Sequence, residues 1–261
     1  MRIHALVSIV MLASMGGSIA LAQTRSRPVN GNGDNSHVIS KINAGLYNLQ
    51  SNGLASFTAK VTTDWALLLG TTPDPDVTKL LNDNWLTVSD DGNKVMIEVF
   101  PGPLSAQNNE VKGAFDGVRT GLNSFFQTWN RFAMSRPVPE NGVQISHQGT
   151  ETILKWKEGS NDLELRTDRD FVIRRLMIVG PALSTAVVPQ FVKDSKGLRL
   201  VHYTEVFVPK EGFVNNRLDV SIDYQPIANN LLIKHLYFES VYQDQKANMA
   251  FDFSDFRVTP N

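Results

Sequence analysis

Apolar and polar residues alternate along most of the chain from Val143 to the C-terminus, in runs separated by polar turns. This period of two is typical of strands that bury one face and expose the other. Turn residues such as Gly149, Gly159 and Gly212 separate the runs. Nine strands are predicted, at residues 143–147, 152–157, 162–167, 171–179, 187–193, 198–208, 216–224, 232–242 and 249–258. Their close spacing favours an antiparallel meander.

A helix with an aromatic face is predicted just upstream, over residues 110–134. Apolar residues recur there at spacings of three and four, and polar residues occupy the opposite side. The apolar stripe consists of Val111, Phe115, Val118, Leu122, Phe125, Phe126, Trp129, Phe132 and Ala133. A sheet with one buried face needs a cover, which an amphipathic helix can provide. We therefore predict an α+β, mainly β fold, in which helices cover the concave face of a curved antiparallel sheet, a half-barrel.

Two further elements are predicted near the start of this fold. Apolar residues at helical spacing indicate a first helix over residues 36–52, with Asn35 or Ser36 as its N-cap. Apolar and polar residues then alternate from Ala55 to Leu69, which predicts one strand of roughly fifteen residues.

A short helix and a hairpin are predicted next. Prolines and aspartates at residues 73–76 mark a turn and the start of a helix that runs toward Leu81. The Asp-Asp-Gly-Asn sequence at residues 90–93 lies between two apolar runs, which is a hairpin signal. Its strands are predicted at residues 85–89 and 94–100.

The N-terminus has the pattern of a secretory signal. Arg2 and His4 precede an apolar stretch, and Ala20 and Ala22 supply the small residues that a signal peptidase recognises. An uncleaved membrane anchor is the competing interpretation, but serines and glycines interrupt the stretch. We predict a signal peptide over residues 1–22, cleaved after Ala22, a disordered tail over 23–35, and a single domain over 36–261. The expected location is the periplasm.

Composition narrows the classes of function. The chain has no cysteine, so an exported form would have neither disulfides nor a lipidated N-terminal cysteine, and its stability must come from a large core. Beyond residue 22, 24 basic residues face 26 acidic ones, with no basic block. This balance argues against nucleic acid and against an electrostatically bound membrane surface as partners. We expect a monomer that is not an integral membrane protein.

Motifs for catalysis are missing from the sequence. It contains no Gly-x-Ser-x-Gly elbow, no phosphate-binding Gly-x-x-x-x-Gly-Lys loop, and no His-Glu-x-x-His. The histidines beyond the signal are scattered, although His202 and His235 lie in predicted strands and could meet in space. We predict that the protein is not an enzyme and that it has no metal site and no cofactor.

Aromatic and aliphatic residues of the helix and the long strand are the candidates for lining a ligand cavity, since binding sites are mostly apolar. These candidates are Phe57, Trp65, Phe115, Leu122, Phe125, Phe126, Trp129 and Phe132. Arg119 and Arg131 are candidates for the mouth of the cavity, where a cation could meet a head group. The alternatives stay open: the stripe can equally be ordinary core, and the arginines can belong to a solvated helix face.

The order of elements resembles a known family. The helix at 36–52, the Phe-bearing strand at 54–61 and the closing Phe-Asp-Phe-Ser-Asp-Phe of residues 251–256 are similar to the outer-membrane lipoprotein-sorting family, the LolA/LolB-like half-barrels. The resemblance implies an incomplete antiparallel barrel closed by helices, with a hydrophobic space that accepts acyl chains. It assigns no site residue to this chain.

These observations lead to an expected function and two alternatives. The expected function is an exported soluble carrier or binding protein for the acyl chains of lipids or lipoproteins. The first alternative is a non-enzymatic envelope sensor or assembly module that contacts envelope proteins. The second is an enzyme that shows none of the motifs above, since a fold does not determine a function.

Overall fold

The computed structural model describes residues 33–70, 74–102, 109–210, 216–243 and 245–261. The predicted signal peptide and most of the predicted tail lie outside the described residues, as does Pro73. The described chain forms one antiparallel sheet of twelve strands and four helices. It is an α+β, mainly β fold with a curved, open sheet, as predicted.

The sheet is a meander whose last strand returns beside its first. The strands are β1 (Leu54–Thr63), β2 (Trp85–Asp90), β3 (Val95–Phe100), β4 (Gln144–Gln148), β5 (Glu151–Glu158), β6 (Asn161–Thr167), β7 (Ile173–Val179), β8 (Leu183–Asp194), β9 (Gly197–Pro209), β10 (Asn216–Ile227), β11 (Asn230–Tyr242) and β12 (Gln245–Pro260). Their order is β3-β2-β1-β12-β11-β10-β9-β8-β7-β6-β5-β4. Pairing of β1 with β12 therefore joins the early strands to the long C-terminal meander.

All nine strands predicted from residue 143 onward are confirmed, and so is the hairpin. β2 and β3 pair around a turn in which Gly92 has a φ of +80°, a conformation that glycine adopts without strain. The Asp90 side chain accepts a hydrogen bond from the Gly92 backbone at 2.8 Å. An added Cβ at Gly92 would lie 2.7 Å from Nε2 of Gln50 and 3.3 Å from Cβ of Met134, so a larger residue would also require these side chains to shift.

The four helices are α1 (Gly33–Gly45), α2 (Trp65–Leu69), α3 (Pro75–Asn82) and α4 (Asn109–Ala133). The last two were predicted within one or two residues. The first begins earlier than predicted and ends at Gly45 rather than at Asn52. The helix stops because the next backbone amides form hydrogen bonds outside it. The Tyr47 amide donates to the Leu198 carbonyl of β9 at 2.9 Å, and the Leu49 amide donates to the Ala133 carbonyl at 2.7 Å.

The prediction of one strand from Ala55 to Leu69 was wrong. β1 ends at Thr63, and Trp65 begins the short helix α2. Asp64 stops the strand because its side chain accepts a hydrogen bond from the Leu67 amide at 2.9 Å, which is the geometry of an N-cap. Gly70 closes the helix in the left-handed conformation, with a φ of +62°. Alternation beyond Asp64 was therefore coincidental.

Replacing Asp64 with alanine should lower the free energy of unfolding by about 1 kcal/mol, because the Leu67 amide would lose its cap. The measurement is urea unfolding followed by circular dichroism. Asp64→Asn is the matched control, since asparagine also caps helices, and it should stay within about 0.5 kcal/mol of the wild type. Equal losses for both variants would contradict the capping role.

One hydrophobic core lies between the helices and one face of the sheet, which we call the covered face. Its largest fully buried side chains include Trp129 and Phe125 of α4 and Tyr203 and Phe251 of the sheet. The opposite, outer face of the sheet carries the polar side chains of alternating positions, such as Ser221 and Asp223. Among the described residues, none of the helices has the length and apolar character needed to cross a membrane.

Candidate ligand-binding site

The structure places the eight apolar site candidates in the core, each at most 7% exposed. Four of them form one aromatic cluster: Phe57, Phe125, Phe126 and Trp129. Its ring centroids lie 5.1 Å apart for Phe125 and Phe126, and 6.2 Å apart for Phe57 and Trp129. The cluster lies between α4 and the covered face, where the sequence had predicted either core or cavity.

Of the other four candidates, three are distributed along α4 and the fourth, Trp65, lies on α2. Phe115 packs edge-on against Trp65 of α2, with centroids 4.8 Å apart, near the N-terminal end of α4. Phe132, near the C-terminal end of α4, packs against Phe191 of β8, with ring centroids 6.0 Å apart. Leu122 lies between them, fully buried. In this closed arrangement the aromatic candidates contact the protein's own rings, so the stripe serves as core.

Polar contacts attach the C-terminal end of α4 to the rest of the fold. The Trp129 indole donates to the Tyr224 hydroxyl at 3.0 Å, and this hydroxyl donates to the Leu200 carbonyl at 2.6 Å. Asn130 donates to the Asp90 carboxyl at 3.0 Å. Burial raises the pKa of Asp90 to about 7, although the bonds from Gly92 and Asn130 act in the opposite direction. The last turns of α4 are thus anchored to β2 and β10.

The two arginines proposed for a cavity mouth have structural partners. Arg119 lies on the exposed side of α4 and pairs with Asp116 at 2.9 Å. Arg131 is nearly buried and forms two hydrogen bonds with Glu158 of β5, at 2.9 and 2.8 Å. Burial would raise the pKa of Glu158, but the hydrogen bond and charge of Arg131 outweigh it and lower this pKa. The indole of Trp156 also donates to the Glu158 carboxyl, at 2.9 Å.

Replacing Arg131 with methionine should lower the free energy of unfolding by about 1–3 kcal/mol, because the half-buried Glu158 would lose two hydrogen bonds and its cationic partner. Chemical denaturation measures this loss. Arg119→Met is the matched control on the same helix, and because Arg119 is exposed its effect should stay within about 0.5 kcal/mol. Equal effects of the two substitutions would contradict a structural role for the Arg131–Glu158 pair.

One buried acid on the covered face was missed at the sequence level. Glu205 of β9 is 6% exposed, and its Oε2 has no hydrogen-bond partner among the described residues. Burial raises its pKa to about 8, so the carboxyl is mostly protonated at neutral pH. The alternation of β9 contained a signal for this burial. Glu205 falls on the same face as Tyr203 and Phe207, between these two aromatic residues.

The neighbours of Glu205 are mainly apolar. Across the strands it pairs with Val187 of β8 and Leu218 of β10. The same cross-strand row continues through Ser240 and Ala247, and all five side chains are buried. Among the described residues, the site is therefore a largely apolar interior that holds the Glu205 carboxyl and the Tyr203 hydroxyl, both with unpartnered oxygens, beneath a helix that carries an aromatic face.

A shallow cleft of about 720 Å³ lies on the other side of the sheet. Its lining includes Asp223, His235 and Asp252, which are cross-strand neighbours on β10, β11 and β12, and the His235 Nδ1 lies 2.8 Å from the Asp252 carboxyl. His202 lies on β9, so β10 separates it from His235. Within the described residues, no group of three His, Asp or Glu side chains could hold a metal ion.

Comparison of the chain with protein families, with curated proteins and with solved structures found no match. Any assignment of function therefore has to come from the site itself. Two features are candidates for a binding site: the ring-filled aromatic interior between α4 and the sheet, with Glu205 beside it, and the polar cleft of the outer face.

Proposed function

We propose that the protein binds acyl chains between α4 and the covered face of the sheet, as an exported carrier or binding protein. The observation that carries the proposal is the buried Glu205, whose Oε2 has no hydrogen-bond partner among the described residues, in a largely apolar, aromatic interior. Ligand sites have this character, with many apolar contacts and few polar groups. The helix-covered curved sheet and the resemblance to the LolA/LolB-like half-barrels agree with it.

Entry of a ligand requires α4 to move, because its aromatic side chains fill the space in the closed form. The polar anchors at Trp129, Asn130 and Arg131 all lie in the last turns of the helix. Near the other end, the Phe115–Trp65 contact is apolar and can be replaced by equivalent contacts with an acyl chain. We therefore place the opening at the N-terminal part of α4, with its C-terminal end as the hinge.

The energetics of such an exchange are favourable for chains of moderate length. Each buried methylene contributes about 0.8 kcal/mol, so ten of them contribute about 8 kcal/mol before costs are subtracted. The costs are the ordering of the ligand and the separation of the Phe115–Trp65 and neighbouring contacts. A chain that is too short would not offset them, so affinity should increase with chain length.

The test is a binding titration of the full chain with acyl probes of increasing length, together with native mass spectrometry of protein purified from the envelope. We expect co-purified lipid and an affinity that rises with length. Phe115→Ser, at the opening end, should weaken binding by about tenfold, whereas the exposed Lys112→Ser on the same helix should leave it unchanged. The proposal would be overturned if the purified protein contained no lipid and bound none of the acyl probes.

A second candidate function, contact with an envelope protein, is favoured by the outer face. Val188 on β8 and Val206 and Val208 on β9 are 37–50% exposed on adjacent strands. Val206→Asp should abolish association with such a partner without lowering the melting temperature of the protein itself. Chemical crosslinking in the envelope, followed by mass spectrometry, would detect the partner, and an identical crosslink pattern in the variant would argue against this function.

A further inference from the structure

We propose that the ligand of the covered site is an acyl chain with an uncharged ester or amide head, and that the Glu205 carboxyl donates a hydrogen bond to its carbonyl oxygen. This inference rests on the proposed function and specifies the chemistry of the ligand. It follows from the place of Glu205 in the sheet, from its lack of a partner and from the groups that surround it.

Glu205 differs from the buried Asp90 and the half-buried Glu158, because no hydrogen bond or charge among the described residues offsets the effect of burial on its pKa. Its Oε2 has no partner there; Oδ2 of Asp90 has none either, but Oδ1 of Asp90 accepts two hydrogen bonds. Asp90 accepts hydrogen bonds from the Gly92 backbone and the Asn130 side chain, and Glu158 accepts them from Arg131 and Trp156. These two acids have structural roles, since Asp90 binds a backbone amide of the β2–β3 turn and Glu158 forms an ion pair with Arg131. A buried polar atom without a partner is costly, and native proteins seldom keep one without a reason. A ligand that supplies the missing partner is such a reason.

The location of Glu205 is suited to a ligand beside α4. One step along the strand on the same face, Tyr203 stacks on Phe125 of the aromatic cluster, with centroids 6.5 Å apart. The row that contains Glu205, with Val187, Leu218, Ser240 and Ala247, has smaller side chains than the adjacent row of Tyr203, Val220, Phe238 and Met249. An acyl chain among the rings would thus bring its head within the region of Glu205.

The surrounding groups determine which head is compatible. β8 presents Val187 to Glu205, β10 presents Leu218, and α4 presents the uncharged Thr128 beside Tyr203. The titratable neighbour is Tyr203, whose own pKa is raised by burial and by Glu205. Among the described residues, no basic side chain lowers the pKa of Glu205. A carboxylate or phosphate head would meet no cation here, so an anionic ligand is disfavoured.

A protonated carboxyl has one O–H donor, and its natural complement is a neutral acceptor. The carbonyl oxygen of an ester or amide provides this acceptor without adding charge to a dry interior. Deprotonation of Glu205 removes the donor and places a negative charge beside the carbonyl. Ester binding should therefore weaken as the pH rises through the pKa of about 8.

The experiment compares two probes of equal chain length, monocaprin (an ester) and decanoate (a carboxylate), by calorimetric titration at about pH 6 and about pH 9. At the lower pH, the wild type should bind monocaprin at least about tenfold more tightly than decanoate. Its affinity for monocaprin should be lower at the higher pH than at the lower pH. Glu205→Gln should keep ester binding but lose its pH dependence, because the amide still donates. Glu205→Leu should lose about tenfold in ester affinity.

The exposed Glu98→Gln on β3 is the matched control and should behave as the wild type. Two outcomes overturn the inference alone: ester affinity in Glu205→Leu equal to that of the wild type, or equal affinity of the wild type for the two probes. In both cases the proposed function would stand. Binding of neither probe by the wild type or by any variant, with all melting transitions intact, would overturn the proposed function as well.

Discussion

Replacement of Trp129 with alanine is expected to lower the free energy of unfolding by about 3–5 kcal/mol. The side chain is fully buried and its ring contacts Phe57, Phe125 and Phe126, with centroids 5.8–6.3 Å apart. The substitution removes these contacts and leaves a cavity. It also removes the indole donor to the Tyr224 hydroxyl, one of the anchors that hold the last turns of α4.

Urea denaturation and an acyl-binding titration on the same variants measure the two consequences of this substitution. Trp129→Phe keeps a ring but not the donor, so it should cost less, about 1–2 kcal/mol. Gln127→Ala, on the exposed side of the same turn, should stay within about 0.5 kcal/mol of the wild type. A loss below about 1 kcal/mol for Trp129→Ala would contradict tight packing. A large stability loss with unaltered affinity in the folded fraction would show that Trp129 is core and not part of the ligand site.

The stability of the wild type is expected to fall as the pH rises from about 5 to about 9, and Glu205→Gln should remove much of this fall. In the unfolded chain Glu205 releases its proton near the ordinary value of 4.5, whereas in the folded protein burial raises its pKa to about 8. The folded state thus retains a proton that the unfolded state releases. The contribution of Glu205 is fully present below about pH 4.5 and is lost progressively up to about pH 8.

The size of this effect follows from the interval between the two pKa values, since each pH unit corresponds to about 1.4 kcal/mol. The full interval sets an upper limit of about 5 kcal/mol, and relaxation of the fold around the charge reduces it. At about pH 9, Glu205→Gln should therefore be more stable than the wild type by a few kcal/mol.

Guanidinium denaturation at several pH values tests this prediction, with the exposed Glu98→Gln as control. The remaining fall of stability in Glu205→Gln should occur below about pH 7, because burial raises the pKa of Asp90 to about 7. A wild-type stability that rises between pH 5 and 9, or parallel profiles for Glu205→Gln and the wild type, would contradict a buried and protonated Glu205.

Strand prediction succeeded where alternation and burial coincide. On β10, Leu218, Val220 and Ile222 are buried while Arg217 and Ser221 are exposed, which is the pattern that the sequence displays. It failed at Asp64, because alternation of side chains contains no information about the hydrogen bond from the Leu67 amide that ends the strand. The first helix was overextended for a similar reason: the partners of Tyr47 and Leu49 lie at Leu198 and Ala133, far away in sequence.

The candidate site was predicted only in part. The period of α4 correctly identified the side chains that face the sheet, since helical geometry alone places Leu122, Phe125 and Trp129 on one side. Sequence spacing could not show that Arg131 pairs with Glu158 of β5, nor that Glu205 lies among apolar residues. Both depend on which strands become neighbours across the sheet.

The sequence by itself determined the strand-rich class of the fold, its aromatic helix and the lack of disulfides, because these follow from the local period of apolar residues and from composition. Only the tertiary structure decided that the last strand pairs with β1, that α4 is anchored at its C-terminal end, and that the buried Glu205 has an Oε2 with no partner among the described residues. Such features arise from contacts between residues far apart in the chain, and the burial that shifts a carboxyl pKa is a property of the packed interior.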